Sequence, residues 1–273
     1  MISTIQQQSE EGHTIAMRRA GSGPSLILLH GVGLRLEAWD NLVPYLSNSF
    51  SVIAIDLPGH GASAGLPKAA PILVDYTNRI ALALRSVKHP ALIVGHSMGA
   101  LIALDLAIRC PELVSGVVAL NCIFRRSPEA AAAVRRRAGE ISSQHAPDPE
   151  PTLERWFGSN PQGELEGANA LCRKWLEAVS PLEYGKAYRV FAEEDGPPEN
   201  DLTRLRCPTL FITGDSEPNS TPAMSKALAE VAADGEYLVV QGARHMMPMT
   251  HAGQVAEAII RFFNEKVSHH ASA

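Results

Sequence analysis

Ala91-Leu92-Ile93-Val94-Gly95-His96-Ser97-Met98-Gly99-Ala100 is the stretch that decides the fold. Its first four residues are apolar and read as a short buried strand. The Ala- and Leu-rich run that continues to about Arg109 reads as a helix. Between them stands Ser97, two residues after one glycine and two before another. A strand-to-helix junction of this kind turns sharply, and Gly95 and Gly99 leave room where a Cβ would collide with the neighbouring strand and helix. The serine is then held out at the C-terminal edge of a sheet, near the free N–H groups of a helix N-terminus. A bare G-x-S-x-G string also occurs by chance in loops. The strand before this one and the helix after it are what raise it above chance.

The pattern on either side repeats that unit. Ile2 to Gln8 and His13 to Arg19 read as two strands joined at Glu11-Gly12, an edge hairpin. Ser25 to His30 is a nearly continuous apolar strand, of the sort buried on both faces of a parallel sheet, and it runs into Gly31-Val32-Gly33. Residues Glu37 to Leu46 read as helix, Phe50 to Asp56 as strand, and Ile72 to Val87 as helix. Leu113 to Leu120 gives the next strand. Alternating strands and helices predict a parallel sheet covered on both sides.

After Asn121 the alternation stops. Helical pieces follow at Pro128 to Ile141, Thr152 to Phe157, Ala168 to Val179 and Leu182 to Glu193, separated by Pro and Gly clusters. An all-helical insertion in such a protein belongs over the C-terminal edge of the strands, so residues 122–201 read as a cap. The core is then 1–121 with 202–273. It resumes with a strand at Thr209 to Thr213 and a helix at Pro222 to Val231 with Thr221 as its cap. Glu236 to Val240 is a strand and Gln254 to Val267 the closing helix; the tail from Ser268 reads as frayed.

Composition narrows the class. The chain has 273 residues, 45% hydrophobic and 19% charged, enough for one large α/β domain with an excursion. Net charge is −5, with no basic block for nucleic acid, and Arg135-Arg136-Arg137 reads as a solvated helix face. The four cysteines, Cys110, Cys122, Cys172 and Cys207, form no CxxC pair, and no histidine spacing suits a metal, so neither metal nor cofactor is expected. No signal peptide opens the chain and no apolar run approaches the ~20 residues that span a membrane. The default expectation is a cytoplasmic protein with reduced thiols, monomer or homodimer, acting on a small molecule.

A serine hydroxyl needs a base to take its proton, and the base needs an orienting group. His245 lies on a loop after a late strand, and Asp215 and Glu217 lie on the loop after the strand before it. All leave the same edge of a parallel sheet, in the chain order serine, acid, histidine. The sequence resembles the α/β-hydrolase-fold enzymes along nearly its whole length. The resemblance rests on His30-Gly31-Val32-Gly33, Asp56-Leu57-Pro58-Gly59-His60-Gly61, Gly95-His96-Ser97-Met98-Gly99, Gly214-Asp215-Ser216-Glu217-Pro218 and Gly242-Ala243-Arg244-His245-Met246. It implies an eight-stranded, mostly parallel sheet flanked by helices, with a helical cap. It implies Ser97 as nucleophile, His245 as base and Glu217, before Pro218, as acid. Most relatives have Asp at that position, and the extra methylene adds roughly 1.5 Å of reach. Asp215 is the rival, whose other use is to bond its own turn. Asn121 closes off a third possibility, an acid directly after the Leu113 to Leu120 strand. The Val32 and Met98 amides are the implied oxyanion hole.

Of the other histidines, His30 is expected to brace the oxyanion loop, and His60 to hold its turn with Asp56 and Gly59. His96 is expected to face away or line the pocket, and His251 to lie at the surface. Arg125, Arg126 and Arg35 are candidates to hold a substrate carboxylate, with surface ion pairing as the alternative. Trp156, Phe157, Trp175, Tyr184 and Tyr188 are candidate pocket walls or cap core. The expected chemistry is hydrolysis of a small ester or lactone through an acyl-enzyme, with an amide or ring-cleavage intermediate also open. Acyl transfer on the same residues, or a non-catalytic ligand receptor, are the competing readings.

Overall fold

In the computed structural model, which describes residues 3–8, 14–88, 90–145 and 148–268, the alternation read from the sequence closes into one sheet. The chain runs β1 (Ser3–Gln8), β2 (Thr14–Ala20), β3 (Ser25–Leu29), α1 (Val43–Leu46), β4 (Ser51–Ile55), α2 (Leu73–Leu84), β5 (Ala91–His96), α3 (Met98–Arg109) and β6 (Val114–Leu120). Four longer helices follow, α4 (Pro128–Glu140), α5 (Glu150–Phe157), α6 (Glu164–Ala178) and α7 (Pro181–Glu193), then the single turn α8 (Glu199–Leu202). The core resumes with β7 (Thr209–Gly214), α9 (Pro222–Val231), β8 (Gly235–Val240), α10 (Met247–Thr250) and α11 (Ala252–Phe262). The eight strands lie in the order β1-β2-β4-β3-β5-β6-β7-β8. β1 and β2 are antiparallel additions at one edge, and β3 to β8 are parallel. The turn expected at Glu11-Gly12 and the tail beyond Ser268 lie outside the described residues.

The nearly unbroken apolar strands follow from burial on both faces. Ile27, Leu29 and Ile93 face one core with Ile80 of α2 and Leu101 of α3. Leu26, Leu28, Leu92 and Val94 face the other with Val255 and Ile259 of α11. The helices α4 to α7 form the inserted region between β6 and β7. Leu153, Phe157, Leu176 and Tyr184 from it join the first of those cores, which anchors the insertion over the sheet edge. Lys186 of α7 fastens it further: its buried ammonium donates to the Leu66 carbonyl at 3.0 Å and to Glu183 at 2.9 Å.

Several helices differ from the expectation: α5 and α6 begin two and four residues early, at Glu150 and Glu164, and two others differ more. Glu37 to Leu46 is not one helix but a 3₁₀ turn at Leu36–Trp39 and the short α1, because Pro44 lacks an N–H and its ring clashes one turn back. The closing helix starts two residues early, at Ala252, is preceded by the unforeseen α10, and ends in a π turn over Phe263–Val267. Among the described residues no helix is long and apolar enough to cross a membrane.

Candidate active site

Ser97 sits at the tip of the β5–α3 turn with φ 55° and ψ −116°, in the positive-φ region that residues with a Cβ rarely adopt. The turn is fixed from both ends: the Ser97 N–H donates to Leu120 O at 2.9 Å, and the Ser97 carbonyl accepts from Ala100. A Cβ on Gly99 would overlap the carbonyls of Leu29 and His30, and one on Gly95 the carbonyl of Gly99. Strand and helix meet this closely only because both positions are glycine.

Glu217, on the loop after β7, is buried beneath His245, on the loop after β8. Glu217 Oε2 lies 2.8 Å from His245 Nδ1 and accepts from Asn121 Nδ2 at 3.0 Å. Its other oxygen accepts from the N–H groups of Asn219, at 2.7 Å, and Ser220, at 3.3 Å. Burial pushes the carboxyl pKa up, but the attraction and hydrogen bond of His245 and the two backbone donors outweigh it and hold it at about 2. The longer side chain is thus absorbed by a loop that wraps its far oxygen. Asp215 is exposed, and its Oδ1 accepts from the Gly242 N–H at 2.8 Å and the Ser216 hydroxyl at 3.1 Å. It ties the two loops together instead of meeting the imidazole.

His245 is held on two further sides. Its carbonyl lies 2.8 Å from His96 Nε2, and its ring stacks on Trp156 of α5 at 5.6 Å between centroids, 21° from parallel. Burial, with the neighbouring His245, drives the His96 pKa down to about 3, so the ring is a neutral donor to that carbonyl.

The loop after β3 is braced by two more buried histidines. His30 Nδ1 donates to Gly31 O at 2.7 Å and its Nε2 accepts from the Leu57 N–H. His60 Nε2 accepts from the Gly33 N–H at 3.0 Å, while its Nδ1 donates to Pro58 O. The partners of His60 are therefore Gly33 and Pro58, not the expected Asp56 and Gly59; Asp56 instead caps Leu36 and Ala62. Burial lowers the pKa of both rings, which keeps their acceptor nitrogens unprotonated. Gly31 packs so near Ser97 that a Cβ on it would lie 3.1 Å from the serine Cβ. Among the described residues the Val32 and Met98 N–H groups donate to no acceptor.

These elements border a cavity of about 430 Å³ lined by Val32, Ser97 and His245 from the core. The insertion supplies the other wall, and three of its helices, α4, α5 and α7, each present one stripe. Ala130, Ala133, Val134 and Arg137 of α4 line it, with Thr152, Arg155 and Trp156 of α5, and Tyr184, Tyr188 and Phe191 of α7. Those spacings of three and four are one face of a helix.

Of the five aromatic residues, Trp156, Tyr184 and Tyr188 line the cavity, while Phe157 and Trp175 pack against the core, the two placements the sequence left open. Of the arginine candidates only Arg126 borders the cavity, with its guanidinium bound to the Glu194 and Phe191 carbonyls and over the Phe191 ring. Arg35 turns to Glu37, and the exposed Arg125 to Glu199 of α8, so neither lines the cavity. Both found a carboxylate nearby and stayed at the surface.

Arg137 and Arg155 were not singled out, yet both line the cavity. Arg137 donates to the Tyr188 hydroxyl at 3.2 Å and Arg155 to the Thr152 hydroxyl at 2.8 Å. Among the described residues neither these two nor Arg126 forms an ion pair with a carboxylate. Arg137 belongs to the run read as a solvated face; only Arg135 and Arg136 are exposed. The signal was the apolar spacing 130, 133, 134, which continues to 137.

Comparison with known proteins gives the same architecture. The model of the alpha/beta hydrolase family matches residues 26–258. The chain belongs to the alpha/beta hydrolase family. Within this family it is 36% identical over 261 residues to the (E)-2-((N-methylformamido)methylene)succinate hydrolase of Acinetobacter baylyi, covering 95% of this chain and 97% of that one. It is 29% identical to a pimeloyl-[acyl-carrier protein] methyl ester esterase of Stenotrophomonas maltophilia, covering 89% of this chain and 93% of that one. Among solved structures, the enol-lactonase of Burkholderia xenovorans superposes with a TM-score of 0.83 at 23% identity, covering 96% of this chain and all (100%) of that one. This alpha/beta hydrolase is therefore a hydrolytic enzyme whose relatives include esterases and a succinate hydrolase.

Proposed function

We propose that this chain is a serine hydrolase of a small acyl compound that carries carboxylates. Ser97 Oγ attacks the acyl carbonyl while His245 Nε2 takes its proton. Glu217 keeps the imidazole in the Nδ1–H tautomer and stabilises the imidazolium that forms. The Val32 and Met98 N–H groups hold the developing oxyanion. When the tetrahedral adduct collapses, the bond to the leaving group breaks and His245 returns the proton to it. Water then adds to the acyl-enzyme by the reverse route, giving the acid and free Ser97. The single observation that carries this reading is the buried Glu217–His245 pair, 2.8 Å apart, whose histidine borders the same cavity as the positive-φ Ser97. An intact set of this kind favours an enzyme over a ligand receptor.

The helices over the site, within residues 122–201, act as a cap that contributes the substrate-binding wall. Arg126, Arg137 and Arg155 bring positive charge to the cavity without a direct ion pair to any carboxylate among the described residues, which suits an anionic substrate. The Acinetobacter baylyi relative is named for a substituted succinate, a dicarboxylate bearing an N-acyl group. (Acylaminomethylene)succinates are therefore the class we assign. The test is release of formate from (E)-2-((N-methylformamido)methylene)succinate by the purified chain. Turnover is expected, absent in Ser97→Ala, and at least ~10-fold better in kcat/KM than for the dimethyl ester of the same compound. Equal turnover of the diester, or activity surviving in Ser97→Ala, overturns the proposal.

A further inference from the structure

We infer that Asn121 is a positioning residue of this site, which fixes the Glu217 oxygen that faces His245. The inference rests on the triad reading above and assigns Asn121 no contact with substrate. Asn121 follows β6 directly and is 1% exposed. It has φ 51°, one of three non-glycine residues at positive φ among those described, and another of the three is Ser97. Its N–H donates to Ile212 O of β7 at 2.8 Å, so the turn is welded to the neighbouring strand. Its side-chain Nδ2 donates at 3.0 Å to Glu217 Oε2, the oxygen that also meets His245 Nδ1. Its Oδ1 is buried and meets no donor among the described residues.

A positive φ, which asparagine tolerates but glycine takes more freely, and an orphaned buried oxygen therefore coincide at one residue. Glycine would take this backbone without strain, and an apolar side chain would leave no orphaned oxygen. Strain and unsatisfied polar groups persist where another demand over-determines them. Here the demand is visible. An ionised carboxylate can only accept, so the amide must turn its NH₂ to Glu217 whatever becomes of its oxygen. Glutamate has one more rotatable bond than aspartate. The backbone donors of Asn219 and Ser220 hold only Oε1, and they belong to the same loop as Glu217. Oε2 is reached from other strands by His245, the group it must orient, and by Asn121. Without Asn121, Oε2 keeps only the imidazole it is meant to hold, so the carboxylate can tilt with the ring about the Oε1 anchor.

The test uses Asn121→Gly and Asn121→Ala in the full chain, beside the wild type and Glu217→Gln. Rates are read with 4-nitrophenyl acetate and melting temperature by calorimetry. Both Asn121 variants lose the same donor, but only alanine keeps the backbone strain. The expected result is a kcat reduced about 10- to 100-fold in both, as for a lost hydrogen bond to a charged group, with KM within about twofold. The glycine variant melts higher than the alanine variant yet is no more active. Asn121→Gly with kcat within about twofold of wild type, while Glu217→Gln is inactive, overturns the inference and spares the triad. Activity that recovers from alanine to glycine in step with melting temperature makes the role structural and also overturns it. Full activity in Glu217→Gln removes the triad reading itself, and this inference with it.

Discussion

Glu217→Gln changes no shape and removes one charge, so its effect is worked from the bonds the carboxylate makes. Its four donors approach from two sides: His245 and Asn121 at Oε2, Asn219 and Ser220 at Oε1. A glutamine has one acceptor oxygen and an NH₂ that only donates. If its oxygen serves the backbone donors, the NH₂ opposes Asn121 and forces the imidazole into the wrong tautomer. If its oxygen serves His245, two buried N–H groups face an NH₂. The fall of the Glu217 pKa from 4.5 to about 2 is worth roughly 3 kcal/mol in favour of the charged form. That alone is about 10²-fold in rate if it is lost when the imidazolium forms, and tautomer error raises it toward the ~10⁴ seen when the acid of a serine-protease triad is amidated. We expect kcat for 4-nitrophenyl acetate to fall about 10³-fold, with a melting temperature lower by only a few degrees. A loss under ~10-fold in a folded variant, or a larger loss in Asp215→Asn than in Glu217→Gln, refutes the assignment of the acid.

Other outcomes follow from the cavity and the core. Arg155→Met and Arg137→Met should each raise KM for a dicarboxylate about 10-fold or more and leave KM for 4-nitrophenyl acetate within about twofold; equal effects on both substrates contradict a charge-recognition role. The chain should lose stability as pH falls below 6.5. His30, His60 and His96 all have folded pKa values depressed by burial, so the unfolded chain binds their protons first. Each contributes a slope of up to about 1.4 kcal/mol per pH unit below 6.5, together roughly 4 where all three windows overlap. The stability from Glu217, present above 4.5, goes only as pH falls toward about 2. Urea denaturation at pH 8, 6 and 5 checks this, and equal midpoints at pH 8 and 5 contradict it.

The sheet was legible because burial on both faces leaves little freedom in composition: Leu26 to Leu29, Val52 to Ile55 and Leu92 to Val94 have no polar residue to spare. The elbow was legible because only glycine survives at 95 and 99. The acid proposed for the triad was less so, since Asp215 and Glu217 are two residues apart and only the fold shows that Glu217 is the one that meets His245. Between the two uses open to the arginines, the fold decides: Arg126 borders the cavity, while Arg35 and Arg125 take surface ion pairs. Arg35 and Arg125 stand near the right strand ends, but whether a long side chain points inward depends on which carboxylates lie within its reach. For Arg137 the answer lay in helical phase, and the run of three charges masked it. Asn121 left no pattern at all, since a positive φ at a non-glycine residue is written in no periodicity.

The mechanism proposed above needs Ser97 to be an activated nucleophile. It is tested most directly by intact-mass and peptide mass spectrometry of the purified chain after a fluorophosphonate probe. A single covalent adduct is expected on the peptide containing Ser97, absent in Ser97→Ala. An unlabelled wild-type chain, or an adduct that persists in Ser97→Ala, would contradict it.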